Sequence, residues 1–550
     1  MEIVKYLFTE FFTNNFSETL LLISLSLISN ILHTNVITYF NSAIITSVQE
    51  RTMDKVVNFF KYFIYSRIFL AIFNYLYKLT QDHIMTRLKQ WFRFALIDVI
   101  FKTNNENISN INFTKLATPI HHLSETCYYV VSDTMSYTIP YIMFFLASVF
   151  YFSYQNITLG IIFFLGNLLW ILLMFYIIPV MRKRSINYES SNLFIEKHVT
   201  ESLNNIDKIL TRGQCKNEIN VFSKESDYTV EAHRDYYTSI AVTKFSIELI
   251  TLLTMFVCVG YSIHLFMDEK INAIQFVGLF TLLMVFKERM NTVANLSSDI
   301  IEQYGKLEAV MEPFNDFDAR VLNINKNYSK IDLDFNHIEL KNVTFKYGEG
   351  FDYVMQDKNL TIDTSNHKII GITGESGKGK STITKLLLKM YIPEKGSIFI
   401  DDVDIQSIEP DYLRDNITYI NQNTRLFDKT VLENILYGCL DEKHCREEYK
   451  KILSYPKINN LYKNVDLNND LAGYSGEKLS GGQRQVVNII SGLVNPSKIL
   501  ILDEPTNALD NDLKHELLEV IKEFKSNKQA IIIISHDSDV FKIFDENIEL

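Results

Sequence analysis

Two glycine-rich turns set the chemical problem. Gly374–Thr382 reads GESGKGKST, and about a hundred residues later Leu479–Gln483 reads LSGGQ. In the first, Gly374, Gly379, Lys380 and Ser381 fit G-x-x-x-x-G-K-[ST], with Glu375, Ser376, Gly377, Lys378 and Thr382 completing the loop. Glycines let successive backbone N–H groups converge on phosphate oxygens, the lysine reaches the outer phosphates, and the serine hydroxyl can hold Mg²⁺. Further along, KILILDEPTNALD is an apolar run ending in Asp503 and Glu504. Beside a phosphate loop, Asp503 suits the hydrated Mg²⁺, and Glu504 suits the water that attacks the phosphate. AIIIISH brings His536 to the same edge, within reach of a terminal phosphate. One bound nucleotide needs one cradle, so the second turn raises the question of whose phosphates it holds.

These groups need a parallel sheet to carry them. HIELKNVTFKY alternates with period two, KIIGIT is a short buried strand running into the first glycine turn, and STITKLLLKMY is the helix that follows. Such strand and helix alternation begins after a linker at 313–336 and fills an α/β domain at 337–550. Before about Glu312 the composition is different. Six apolar stretches, at about 20–45, 56–79, 132–154, 159–180, 240–267 and 271–290, approach the roughly 20 residues a bilayer-crossing helix needs. The first two carry Asn30, His33, Asn35, Arg67 and Asn74, polar groups that a bundle interior or wet cavity can accept. Residues 1–312 therefore read as a six-helix transmembrane domain with two long links.

Charge gives the orientation. His83–Glu125 holds five Lys and Arg and Met181–Lys244 holds ten, whereas the short links after spans one, three and five hold two, none and one. The long links are then cytoplasmic, as are both termini, and the first span reads as a retained helix rather than a signal peptide. A net charge of -11 with no basic run excludes a nucleic-acid footprint. Five scattered cysteines without metal-ligand spacing are expected to be reduced and structural.

Taken in order, FKYG, GESGKGKST, INQNTRLF, LSGGQRQ, ILILDEPTNALD and SH resemble the ATP-binding cassette, and the six preceding spans resemble an exporter-type half transporter. The resemblance implies that Tyr347 stacks on adenine, that Gln422 links Mg²⁺, the attacking water and the membrane domain, and that Asp510 is the D-loop acid. It implies that Leu479, Ser480, Gly481, Gly482 and Gln483 cap the ATP of a partner cassette, which makes the expected assembly a dimer, simplest as a homodimer, with a heterodimer as the variant. Segments near Ile111–His121 and Asn204–Glu218 fall where coupling helices press on a cassette. ATP and Mg²⁺ are the implied cofactors, with lipid and an unidentified cargo as further partners. The chain departs from the pattern at Val486, Tyr474 and Asn507 and in ending at Leu550. A cassette-regulated channel and a soluble cassette ATPase are the alternative readings. Arg67, midway along the second span, has two readings, a structural hydrogen-bonding role in the bundle or near water and a contact for anionic or zwitterionic cargo.

Overall fold

The structure, a computed structural model, describes residues 2–108, 116–311, 314, 328, 331–375, 377–423 and 425–550. It divides into two compact units, one of Met1–Phe101 with Asn110–Asn323 and the other of Lys102–Ser109 with Ile324–Leu550.

The first unit is helical: α1 (Glu2–Asn14), α2 (Phe16–Gln49), α3 (Met53–Asn104), α4 (Ala117–Asp133), α5 (Ile139–Gln155), α6 (Ile157–Asn204), α7 (Ile206–Thr211), α8 (Cys215–Met267) and α9 (Ala273–Val310). Two helix starts are written locally. The Asn156 side chain accepts from the backbone of Thr158 and Leu159 to open α6, and Asn272 and Gln275 form a reciprocal capping box at α9. With 48 and 53 residues, α6 and α8 run for about 70–80 Å, more than twice the roughly 30 Å hydrocarbon layer. Each therefore extends well beyond its apolar stretch.

Packing in this unit uses small residues as notches. A Cβ added at Gly160 of α6 would lie 2.1 Å from the hydroxyl of Ser153 on α5. At Gly166 of α6 it would lie 2.3 Å from that of Thr254 on α8, and at Gly305 of α9 only 2.0 Å from that of Ser185 on α6. Only glycine allows these backbones to come so close.

The predicted spans hold unevenly. Each stretch falls on helical structure, but among the described residues only α3, α6 and α8 are long and apolar enough to cross a membrane by themselves. Val4–Asn14 and Phe16–Ser29 meet the same length and composition only when taken together, across a bend of 81°. The stretch 132–154 is not one α-helix: a π turn at Thr134–Thr138 interrupts it, and Pro140 begins the next turn. In α9 the charges of Lys287, Glu288 and Arg289 crowd the end of the apolar run.

The second unit holds two sheets. An antiparallel sheet has the order β2-β1-β4-β5, formed by β1 (His337–Phe345), β2 (Met355–Asp363), β4 (Lys395–Ile400) and β5 (Val403–Asp404). A parallel sheet has the order β6-β7-β8-β3-β9, from β3 (Lys368–Thr373), β6 (Ile417–Ile420), β7 (Ile499–Asp503), β8 (Ala530–Ile534) and β9 (Glu546–Glu549). Its central strands β7 and β8 are buried at every residue, and apolar but for Asp503 at the end of β7, because both faces are covered. Leu500, Leu502, Ile531 and Ile533 enter one core with the helix Gly481–Val494, while Ile499, Ile501, Ile532 and Ile534 enter another with the helix Lys380–Leu387. Alternation along the strands thus feeds two cores, and the strand ends align at one edge.

One expectation about cysteine is overturned. Cys439 and Cys445 are joined as a disulfide, brought together because the chain turns at Gly438–Asp441 into the helix Glu442–Leu453. Cys127, Cys215 and Cys258 are free thiols.

Candidate functional site

β3 ends at Thr373 and the chain turns through Gly374, Gly377 and Gly379, all at positive φ (136°, 87° and 86°), before the helix Lys380–Leu387 begins. A side chain would be strained at each of these positions. Gly379 also sits against Val354 and Met355, where a Cβ would lie 3.1–3.2 Å from their side chains. Ser376 lies outside the described residues. Lys380 is buried, and its Nζ donates to the carbonyls of Gly374 (2.7 Å) and Glu375 (2.9 Å) and lies 3.3 Å from His536 Nε2. Ser381 and Thr382 follow on the first turn, and the Thr382 hydroxyl lies 2.9 Å from the Tyr347 hydroxyl. Lys385 caps the Tyr347 ring at 5.4 Å.

Asp503 and Glu504 leave the end of β7 in different environments. Asp503 is buried and accepts from the Tyr419 hydroxyl at 2.9 Å. Glu504 adopts φ 51°, uncommon for a residue with a side chain, and its backbone N–H is tied to Ile534 O at 2.8 Å. Burial raises its carboxyl above the usual range, with His536 opposing that rise. His536 Nε2 lies 3.5 Å from Glu504 Oε1, and its side chain is half exposed. Lys380, Glu504 and His536 therefore converge on one edge of the parallel sheet, with Asp503 beside them. Gln422 is exposed on the loop after β6.

The second glycine turn has another role in its own chain. Ser480 caps the helix Gly481–Val494, with its side chain accepting from Gln483 N and the Gln483 side chain returning to Ser480 N. Gly482 approaches Ala508 O, where a Cβ would lie 3.2 Å away. Among the described residues no hydrogen bond or ion pair joins Leu479–Gln483 to Gly374–Thr382. Asp510 caps the helix Asn511–Phe524, accepting from Leu513 N at 2.9 Å. Tyr474 is exposed beside Ser475, which sits at φ 53°.

Several positioning groups escaped the sequence reading. Tyr419 is one. Gln485 is another: it is 3% exposed on the apolar face of the helix Gly481–Val494, and its amide donates to Pro505 O (3.1 Å) and Glu504 O (3.5 Å). Its signal was a lone amide where the helical pattern asks for an apolar side chain. Lys514 binds Asp537 and Asp539 at 3.0 and 2.7 Å, and Asp537 also accepts from Thr506, so the segment after His536 is anchored to the segment after Glu504. Asn107 and Ile108 donate to Lys389 O (3.0 Å) and Met390 O (2.7 Å), just past the helix Lys380–Leu387, and Glu106 pairs with the fully buried Lys389. The coupling segment expected at Ile111–His121 begins outside the described residues, at 111–115. Asn204–Glu218 forms an exposed turn through α7 with Gly213 at φ 63°.

Known proteins share both units. The family model described as ABC transporter matches residues 357–507, and the one described as ABC transporter transmembrane region matches residues 19–290. The chain is 28% identical over 375 residues to the toxin RTX-III translocation ATP-binding protein of Actinobacillus pleuropneumoniae, covering 66% of this chain and 50% of that protein. It is 27% identical over 411 residues to the ATP-dependent lipid A-core flippase of Haemophilus influenzae, covering 74% and 68%. Against the first three curated relatives it spans 50%, 64% and 53% of their length. The fold is similar to that of a bacterial Atm1-family ABC exporter solved with ATP bound, with a TM-score of 0.81 at 17% identity, covering 98% of this chain and 94% of that one.

Proposed function

We propose that this chain, which belongs to the ABC transporter family and has the exporter-type order of membrane region before cassette, is an ATPase that drives export as half of a dimer. The observation that carries the reading is the convergence of Lys380, Glu504 and His536 at one sheet edge while Ser480, in the same chain, is engaged elsewhere. Lys380 holds the outer phosphates, the Glu504 carboxylate takes the proton of the attacking water, and His536 steadies the terminal phosphate and orients Glu504. Tyr347 supplies a ring for adenine. Ser381, Gln422 and Asp503 offer hydroxyl, amide and carboxylate oxygens, a hard donor set that fits Mg²⁺. When bound, that ion neutralises phosphate charge. What these residues do themselves is hold, orient and remove a proton.

Two copies supply what one lacks. Ser480, Gly481 and Gly482 sit at a helix N-terminus with backbone N–H groups suited to the terminal phosphate of a partner's nucleotide. ATP then joins two cassettes, and its hydrolysis separates them, biasing a membrane domain of six crossings per chain between inward-open and outward-open states. In this reading residues 1–312 form the transmembrane domain, 313–336 the linker and 337–550 the cassette. The long links and both termini face the cytoplasm. The relatives' names, toxin translocation and lipid flipping, support a large or amphiphilic cargo.

The test is a pair of mixed dimers. One Lys380→Ala chain with one Gly481→Asp chain is expected to retain one site free of either lesion, whereas both lesions on one chain beside a wild-type partner damage both sites. Nucleotide trapping reads the number of intact sites. Equal trapping in the two arrangements would refute the shared site.

A further inference from the structure

The helix Asn511–Phe524 is secured without Lys514. Asp510 caps it, and Leu513, Leu517, Leu518 and Ile521 hold its apolar face in the core. Lys514 is nonetheless nine-tenths buried, the one charged residue among those the helix buries. A helical lysine normally carries its ammonium out to water or pairs one turn along its own helix. Here the Nζ donates instead to two carboxylates of another segment, Asp537 Oδ2 at 3.0 Å and Asp539 Oδ2 at 2.7 Å.

That segment carries His536, which Asp537 follows directly and Asp539 three residues on. It is folded tightly around the lysine. The Asp537 N–H donates to Ser535 Oγ (3.0 Å), the Asp539 N–H to Asp537 Oδ1 (2.9 Å) and the Lys542 ammonium to Asp539 Oδ1 (2.7 Å). One further bond leaves the segment: the hydroxyl of Thr506, two residues after Glu504, donates to Asp537 Oδ2 at 3.3 Å, the same oxygen that Lys514 holds. Ser535 and Thr506 are both buried. The segment also acts on Glu504 directly, because the His536 N–H favours its charged carboxylate and His536 Nε2 lies 3.5 Å from Glu504 Oε1. Lys514 thus stands where the chain after Glu504 and the chain around His536 are joined, one turn into the helix that Asp510 opens. Without its ammonium, Asp537 and Asp539 repel each other, and the exposed Lys542 remains to offset Asp539 alone.

We infer that Lys514 is a positioning residue for ATP hydrolysis, holding the segment from Ser535 to Asp539 so that the His536 imidazole meets the terminal phosphate and Glu504 in the transition state. The inference rests on the roles given above to Glu504 and His536. Among the described residues Lys514 bonds to none of Lys380, Glu504 and His536, so its effect passes through Asp537 and Asp539. The consequence is selective. ATP binding through Lys380 and the phosphate loop does not depend on Lys514, whereas stabilisation present only while the phosphate is in transfer does.

The test is Mg-ATP hydrolysis by the full chain, normalised to folded protein, with orthovanadate as the transition-state probe. Lys514→Met keeps the length of the stem and removes the charge. It is expected to lower kcat about tenfold, to change KM for ATP by less than about twofold, and to raise the inhibition constant for vanadate about tenfold, in step with kcat. Lys514→Arg, which can still bridge two carboxylates, should recover most of both losses. Lys457→Met removes an exposed ion pair of the same helix, with Asp512 at 2.8 Å, and should leave kcat and vanadate inhibition as in wild type. If Lys514→Met does not fold, Asp539→Asn removes one of the two anchors, and kcat should fall about two- to fivefold with a matching loss of vanadate inhibition. Wild-type kcat in the folded variant, or a lower kcat with unchanged vanadate inhibition, overturns the inference. Glu504→Gln in the same assay keeps the two readings apart. Full activity there overturns the site itself, whereas an inactive Glu504→Gln beside a fully active Lys514→Met removes only the role of Lys514.

Discussion

Replacing Gln485 with methionine tests how Glu504 is held. Methionine keeps the length of the side chain and suits the apolar face on which Gln485 lies, so the change removes little beyond the amide. That amide makes one well-formed hydrogen bond, to Pro505 O at 3.1 Å, and one at the limit of range, to Glu504 O at 3.5 Å. Leaving a buried carbonyl without a donor costs about 1–3 kcal/mol. Removing the buried amide itself offsets part of this, so a net loss of about 1–2 kcal/mol is expected. For a domain of this size that corresponds to a fall in Tm of about 2–8 °C. If half of the loss appears as a displaced carboxylate in the transition state, kcat falls about two- to fivefold. KM for ATP should hold, because the phosphate loop is untouched. The assay is Mg-ATP hydrolysis by the full chain across ATP concentrations, normalised to folded protein, beside a thermal melt. A lower Tm with unchanged kcat would refute the positioning argument and leave Gln485 as a packing residue.

Glu504→Gln should preserve ATP binding and lower hydrolysis by about 10² or more, with ATP-bound dimers accumulating on a sizing column. Because burial raises the Glu504 carboxyl, its basic form is lost as pH falls at a higher pH than for an ordinary glutamate. The acid limb of kcat should be displaced upward accordingly, and a limb at the usual carboxylate pKa would contradict this. Glu189, on the part of α6 beyond its apolar stretch, is buried with Oε1 lacking a hydrogen-bond partner, and desolvation pushes its pKa up to about 7 against Lys306, with Glu302 and Glu196 adding to the rise. Between an unfolded value near 4.5 and about 7 the folded state binds the extra proton, so stability falls as pH rises through that window. Glu189→Gln should therefore raise Tm at pH 8 and change it little at pH 5, and equal shifts at both would show that Glu189 is not the titrating group.

Local chemistry was readable from the sequence because it is written in contiguous residues. Glycine turns follow strands, and carboxylates end them. What escaped depends on which strand lies beside which. Tyr419 meets Asp503 only because β6 lies next to β7, an order that crosses the chain and has no local sign. Lys389, just past a helix end, is fully buried and pairs with Glu106, which lies far off in sequence. Arg67, which drew attention by its depth in an apolar run, is exposed and stacks on Phe63 at 5.3 Å, whereas Lys514 sits among charges that mask it. The π turn had no signature apart from Pro140, and hydropathy alone could not say that the third stretch is broken.

The notches on α6 limit how that helix can move. Gly160 and Gly166 receive side chains from α5 and α8, and Ser185 enters the recess left by Gly305 on α9. Contacts at three heights act like teeth in a lock, opposing axial slip of any one helix against the others, while leaving the four free to tilt together. A rigid body about 70 Å long that pivots near its middle turns a tilt of about 5° into a displacement of roughly 3 Å at each end, in opposite directions. Widening at one end then requires narrowing at the other, and a larger side chain at any one of these notches should slacken that seesaw without touching the cassette.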